Sequence, residues 1–404
     1  MDKVKTGVVG LGVGNWNIRA FNSVPNAETI AVCDTSEARL NEAKERYHFK
    51  DSQLYKDYDT MIDKSGIDAV AIAAPNWLHV PFAIKAAERG IHVLLQKPVA
   101  RNLPECDKMI DACRKAKVIL MPQMMHIWFP ESRVAKRLID GGAIGEVRQV
   151  KQDNVHYKFS EDKPWWYGYP EQSGGGALMD IGVHGIYLLK HLLGDFSTVS
   201  ANLKTYTKEV RGLPLKVEDC AALWYKMKNG STVSHAVSWC AAEHGTIYPR
   251  FGTEIYGSEG TILLHHTMGR LAVLSNAWDE KQIREATKDI PITLEPTPVG
   301  RPRPVTWWIN PYPKRLNRRR TGTLVEYDRP QDEYNADIDP MHQYFVECIL
   351  QKKDPVPSFE EGGRKPLEVI MAAYESHKKR KPITIPLTYD LEYVNNHYNW
   401  DWPL

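Results

Sequence analysis

The sequence predicts an α/β protein with two parts: an N-terminal doubly wound parallel sheet of Rossmann type, then an α+β domain built on a large, mostly antiparallel open sheet. Three observations carry this. Short β-branched apolar runs alternate with helical patterns up to about residue 123. A Gly-x-Gly turn follows the first of those runs. Beyond residue 147, strand-like runs follow one another with turn residues between them.

In the first part, strands are expected at 6–9, 29–33, 69–73, 92–95 and 118–121, with amphipathic helices at 36–47, 80–89 and 103–116. Pro104 stands near the start of the last helix, where its missing N–H costs little. A helix over 130–140 ends at Gly141-Gly142, which suits a left-handed cap. The chain therefore divides into 1–123 and 124–404. Further strands are expected at 147–156, 198–204, 221–227, 231–239, 250–256 and 261–264, with turns at Asn229-Gly230 and Gly257-Ser258-Glu259-Gly260. From about 291 to 339, proline and charge interrupt the pattern, including the basic run Lys314-Arg315-Leu316-Asn317-Arg318-Arg319-Arg320. This reads as a long irregular excursion. Helical periodicity returns at 340–351 and 364–378, and an aromatic tail, Tyr398-Asn399-Trp400-Asp401-Trp402, ends the chain.

Composition narrows the function classes. Lys+Arg 52 against Asp+Glu 50 nearly cancel, which argues against a dedicated nucleic-acid binder. No apolar run approaches the roughly 18 residues a membrane span needs, and no export signal opens the chain. A soluble cytoplasmic protein is expected. The 6 cysteines are scattered without a C-x-x-C pair, so neither a zinc signature nor a disulfide framework is read. They are expected to be buried free thiols, Cys106 and Cys113 sharing a helix face, and no metal is expected.

The first turn carries the strongest local signal. In Gly7-Val8-Val9-Gly10-Leu11-Gly12-Val13-Gly14-Asn15, a strand leads into Gly10-x-Gly12 and then a helix start, with Asn15 where a third glycine would stand. Gly10 permits the tight turn. Gly12 lets backbone N–H groups approach a pyrophosphate, which the positive end of the helix dipole favours. The second strand ends at Asp34, where a carboxylate can accept both adenosine ribose hydroxyls. Asp34 repels a 2′-phosphate, and its neighbours Thr35 and Ser36 carry no cation, so NAD is preferred over NADP. The competing reading of Asp34 is a helix N-cap.

A second signal lies at Asp180, His184, Tyr187 and His191. At i, i+4, i+7 and i+11 these form one polar stripe on an apolar helix. By spacing alone they fit a catalytic pair in which Asp180 orients His184 as general base, a satisfied core histidine, or two metal ligands. Tyr187 and His191 read as members of a core hydrogen-bond network. Trp165-Trp166-Tyr167 offers flat faces on which a sugar ring could stack, and His156 and Tyr157 are close enough in sequence to reach the same pocket.

Four blocks together resemble the Gfo/Idh/MocA oxidoreductases, the family of glucose-fructose oxidoreductase and inositol dehydrogenase. They are Val9-Gly10-Leu11-Gly12-Val13-Gly14-Asn15, Ala74-Pro75-Asn76-Trp77-Leu78-His79, Gln96-Lys97-Pro98, and Gly174-Gly175-Gly176-Ala177-Leu178-Met179-Asp180-Ile181-Gly182-Val183-His184. The resemblance implies that Ala74, Pro75, Asn76 and His79 lie along the cofactor. It also implies that Lys97 sits beside the reacting carbon, with Asp180 and His184 as its catalytic partners. Two positions depart from the family pattern. Gln96 stands where a glutamate commonly precedes the lysine, removing one negative charge. His126 and Ile127 stand where many members carry a basic residue, which implies a less cationic substrate pocket.

The expected activity is NAD-dependent oxidation of a secondary hydroxyl in a sugar, glycoside or inositol, or reduction of the corresponding ketone. A redox-neutral variant would return the hydride after elimination of a glycosidic bond or epimerisation, and a non-catalytic NAD or sugar sensor is the reading from another class. The resemblance further implies a homo-oligomer, dimer or tetramer, paired through the open face of the second sheet.

Overall fold

The computed structural model describes residues 3–156, 158–159, 165–240, 250–265, 270–290, 293–297, 306–310 and 339–387. The first part runs β1 (Val4–Val9), α1 (Asn15–Ser23), β2 (Ala27–Cys33), α2 (Glu37–Tyr47), β3 (Leu54–Tyr55), α3 (Tyr58–Lys64), β4 (Ala69–Ile72), α4 (Asn76–Glu88), β5 (His92–Gln96), α5 (Leu103–Ala116) and β6 (Leu120–Gln123). Its six strands are parallel in the order β3-β2-β1-β4-β5-β6. The order reverses between β1 and β4, and in such sheets ligands bind at the carboxyl ends of the strands beside that point.

Polar side chains start the helices where the sequence offers them. Ser36, Asp57 and Asn102 each accept a backbone N–H at the starts of α2, α3 and α5. Alternation along β1 sends Val4 and Val8 into one core and Val9 into the other, so both faces are covered.

The second part adds α6 (Pro130–Asp140), β7 (Val147–Val155), α7 (Pro170–Ser173), α8 (Val183–Leu193), β8 (Phe196–Lys204), β9 (Glu209–Val210), β10 (Leu213–Pro214), β11 (Cys220–Met227), β12 (Thr232–Ser238), β13 (Arg250–Gly257), β14 (Gly260–His265), β15 (Arg270–Ser275), α9 (Glu280–Thr287), β16 (Thr293–Thr297), β17 (Thr306–Asn310), α10 (Pro340–Gln351), α11 (Lys365–Lys379) and β18 (Ile383–Thr384). Ten of its strands form one sheet, β16-β17-β15-β14-β13-β7-β12-β11-β8-β18. Every neighbouring pair is antiparallel except β7 with β12. Along β11, Ala221, Leu223, Tyr225 and Met227 are buried while Ala222, Trp224 and Lys226 face out. One face is therefore core and the other open.

Several strands go beyond the sequence reading, among them the short β3, β9, β10 and β18, and β15. β16 and β17 stand inside the stretch expected to be irregular and extend the sheet at its edge. The basic run at 314–320 and the aromatic tail lie outside the described residues. α10 also returns to the first part, burying Met341, Phe345 and Val346 against Val8, Ile18 and Phe21. Among the described residues, no helix is long and apolar enough to cross a membrane.

Candidate active site

Four loops meet at the carboxyl edge of the parallel sheet, after β1, β2, β4 and β5. The first is shaped by glycine. Gly10 has φ 85°, and a Cβ there would fall 2.5 Å from the Ala73 carbonyl. A Cβ on Gly14 would fall 2.3 Å from the Gly10 carbonyl, so Gly14 supplies the close helix-strand approach one residue before the position at which a third glycine was expected. No side chain caps α1, Val13 is 58% exposed at its start, and the buried Asn15 Oδ1 has no partner among the described residues. These features fit a bound pyrophosphate, whose charge the N-terminus of α1 favours.

Asp34 is buried at the end of β2. Its Oδ2 accepts Leu11 N–H at 2.7 Å and its Oδ1 accepts Ser36 N–H at 2.8 Å. Ser36, not Asp34, caps α2. Each Asp34 oxygen keeps a second lone pair for a ribose hydroxyl. Exposed Thr35 follows. A cation stands beyond the adjacent residues: Arg39, one turn into α2, brings its guanidinium to 3.5 Å from Asp34.

Asp34→Ala is therefore expected to shrink the NAD preference roughly 10- to 100-fold, the scale of one or two hydrogen bonds to charge, because Arg39 is then left for a 2′-phosphate. Kinetics with both cofactors measure it. An unchanged ratio of kcat/KM would contradict the assignment.

The loop after β4 is tied down from within. His79 is fully buried with Nε2 2.7 Å from the Ala74 carbonyl and Nδ1 2.8 Å from the Pro98 carbonyl. Burial lowers its ring to about 4, against the pull of the two carbonyls. Its side chain thus supports the loops after β4 and β5 and is not itself exposed toward a cofactor. Asn76, at the start of α4 after Pro75, donates from Nδ2 to the Ser173 carbonyl at 2.7 Å, joining this loop to the glycine run of the second part. Gln96 accepts Lys97 N–H on its Oε1 at 2.9 Å.

Lys97 and Asp180 meet. Lys97 Nζ donates to the Asp180 carbonyl at 2.7 Å and to its Oδ1 at 3.0 Å. The other carboxylate oxygen takes Lys158 Nζ at 2.9 Å and the Trp239 indole N–H at 3.2 Å. Burial alone would raise the Asp180 carboxyl. The ammoniums of Lys158 and Lys97, with His156 nearby, outweigh it and hold the group well below the usual carboxylate range. Lys158 also lies 3.6 Å over the Tyr167 ring. Two ammoniums therefore face one carboxylate, and Lys158 is a cation the sequence reading did not place at this site.

The expected pairing of Asp180 with His184 is replaced. Residues Leu178–Gly182 form a π-helical turn, which rotates the stripe away from its 3.6-residue register before α8 begins. Among the described residues the Asp180 carboxylate bonds to Lys97, Lys158 and Trp239. The His184 ring instead stacks on His126, with centroids 4.4 Å apart and planes 19° apart. Both rings, and that of His156, lie against Phe251 on β13, at centroid distances of 6.1, 5.9 and 6.2 Å for His184, His126 and His156. Three separate sequence regions thus bring their imidazoles to one aromatic neighbour. Of the aromatic triplet, Trp166 stacks on Tyr167 and sets its edge on Trp77 of α4, while the side chains of Trp165 and Tyr157 lie outside the described residues. Tyr187 is buried, and burial lowers half-buried His191 to about 4.

Beneath the glycine run, fully buried Glu218 accepts N–H from Gly176 and Leu178, each at 3.0 Å, and the Tyr374 hydroxyl at 3.1 Å. Burial raises its carboxyl from 4.5 to about 7 against those donors. The folded chain holds this proton more tightly than the unfolded chain. The resulting stability, roughly 3 kcal/mol, is fully present below about pH 4.5 and lost as pH rises through 7. Glu218→Gln cannot ionise. Relative to this variant, wild type is expected to lose melting temperature between pH 5 and pH 8, and an unchanged difference would contradict the assignment.

Comparison with known proteins decides the family. Residues 4–124 match the Gfo/Idh/MocA oxidoreductase family with its NAD-binding Rossmann fold, and residues 132–263 match the Gfo/Idh/MocA C-terminal domain. Levoglucosan dehydrogenase of Pseudarthrobacter phenanthrenivorans is 32% identical over 296 residues, 66% of this chain and 74% of that protein. The chain belongs to the Gfo/Idh/MocA oxidoreductase family. It is an NAD-binding oxidoreductase, and β1 to β6 form the family's Rossmann sheet. A second family relative, the 2,7-anhydro-N-acetylneuraminate hydratase of Escherichia coli, is 31% identical over 193 residues, 48% of this chain and 50% of the hydratase. The solved structure of levoglucosan dehydrogenase with NADH and levoglucosan aligns at a TM-score of 0.76 and 23% identity over 96% of this chain and 100% of that one, a likeness of fold.

Proposed function

We propose that this family member is an NAD-dependent dehydrogenase that oxidises a secondary hydroxyl of a sugar or related polyol, or reduces the matching ketone. The observation that carries the reading is Lys97 Nζ, held by both the carbonyl and the carboxylate of Asp180 just beyond β5. An ammonium fixed in that way stands at the edge where the parallel sheet receives its ligand.

NAD, when bound, accepts the hydride. The chain's own groups do the rest. The Lys97 ammonium stabilises charge developing on the substrate oxygen. The His184 imidazole takes the hydroxyl proton. Asp180 holds Lys97 and Lys158 in place, which makes it a positioning group for the two lysines. The rings of His126, His156, Trp166 and Tyr167 offer flat faces that suit the apolar faces of a sugar ring. The names of the relatives, levoglucosan dehydrogenase and D-apiose dehydrogenase, support a sugar as substrate.

Incubation with NAD and a panel of sugars, anhydrosugars, glycosides and inositols tests this. Reduced nicotinamide should accumulate with an oxidised product. A second reading is favoured by the hydratase relative: the hydride is returned and the net reaction is redox-neutral. Product formed without lasting NADH would select it, and no product from any polyol would overturn both.

A further inference from the structure

The fold sorts the six cysteines into two groups. Cys33, Cys106, Cys113 and Cys348 are buried thiols. Burial pushes Cys33 and Cys113 up to about 12, which leaves them inert at neutral pH. The other two meet. Cys220 opens β11 opposite Ser238, the last residue of β12, and Cys240 follows two residues later. Their sulfur atoms lie 3.4 Å apart.

The surroundings give the two sulfurs different roles. Ser238 Oγ accepts the Cys240 N–H at 2.9 Å, so its own proton is available to Cys220 Sγ, 3.1 Å away. The neighbouring Cys240 sulfur, then Ser238, lowers the Cys220 thiol to about 7 even though burial opposes it. Cys240 is exposed and Cys220 half-buried. An accessible pair in which one sulfur is readily a thiolate is the arrangement of an attacking and a resolving cysteine.

The segment between them contributes Trp239 to the candidate active site. Trp239, fully buried, donates its backbone N–H to the Asp219 carbonyl at 2.8 Å and its indole N–H to Asp180 at 3.2 Å. A disulfide needs a sulfur separation near 2.05 Å, so the two atoms must close by about 1.3 Å. Cys240 is bonded directly to Trp239. Movement of Cys240 therefore strains the indole bond to Asp180.

We propose that Cys220 and Cys240 form a reversible disulfide under mild oxidation, and that this bond slows turnover by drawing Trp239 away from Asp180. The first part stands on the cysteine geometry; the second rests on the dehydrogenase reading. With hydrogen peroxide as oxidant, the Cys220 thiolate attacks one peroxide oxygen, the O–O bond breaks, and hydroxide leaves a sulfenic acid behind. The Cys240 sulfur then attacks the sulfenic sulfur and expels its hydroxyl as water. Two thiols lose two electrons and two protons, and peroxide becomes two waters.

The full chain is treated with peroxide, its thiols are blocked, and it is digested without reductant and mapped by mass spectrometry, with turnover followed in parallel. A Cys220–Cys240 linked peptide pair is expected, two hydrogens lighter than the reduced peptides. Turnover is expected to fall about tenfold, the scale of one lost hydrogen bond to a charged group. Dithiothreitol should restore it, and Cys240→Ser should keep its rate through the treatment. Recovery of both residues as thiols or sulfinic acids overturns the first part. So does tightly bound zinc that shields both sulfurs, since Asp219, Cys220 and Cys240 offer donor atoms within 4.8 Å of one another. A linked peptide with unchanged turnover overturns the second part. Inactivity on every polyol before oxidation overturns it together with the dehydrogenase reading, while the peptide map still decides the first.

Discussion

His184→Ala is expected to turn over substrate about 100- to 10,000-fold more slowly than wild type, with NAD affinity unchanged. The imidazole stacks on His126 and lies against Phe251. Under the proposed mechanism, its loss removes the proton acceptor. Steady-state kcat and NADH binding by fluorescence separate the two effects. An unchanged kcat refutes the role.

Lys97→Ala is expected to cost about 100- to 1,000-fold in kcat, the scale of one donor lost from a developing oxyanion. The fold should tolerate it. Asp180 keeps Lys158 at 2.9 Å and the Trp239 indole, so no buried carboxylate is left without a partner. A melting temperature close to wild type alongside the lost rate would show that chemistry, and not folding, was removed. Full activity in this variant removes Lys97 from the mechanism.

The parallel sheet was legible because each of its signals is local. Apolar runs, the Gly10-x-Gly12 turn and Asp34 lie within about one βαβ unit. Helices with strong caps were read closely: α5 and α10 match their expected spans. The short β3 and α3 carry too few residues for a period to show.

At the candidate site, sequence motifs pointed to individual residues but not to the partners the fold gives them. Lys97, Asp180 and His184 could be named from motif blocks. Lys158, Trp239 and Phe251 could not, because each reaches the site across the fold from a separate strand or loop. The Asp180–His184 pairing failed for a specific reason. A 3.6-residue period assumes an unbroken α-helix, and one π turn at Leu178–Gly182 changes which way the carboxylate faces. Arg39 was hidden likewise, since α2 folds it back on Asp34 from five residues further on.

The central claim is that Lys97 and His184 act on one and the same carbinol beside the nicotinamide. A crystal structure of the chain with NADH and a bound, unreacting polyol tests it most directly. The account predicts a single hydroxyl oxygen within hydrogen-bond distance, about 2.6 to 3.2 Å, of both Lys97 Nζ and a His184 ring nitrogen, with its carbon facing the nicotinamide. A polyol bound elsewhere, or one whose hydroxyl meets only one of the two side chains, would contradict it.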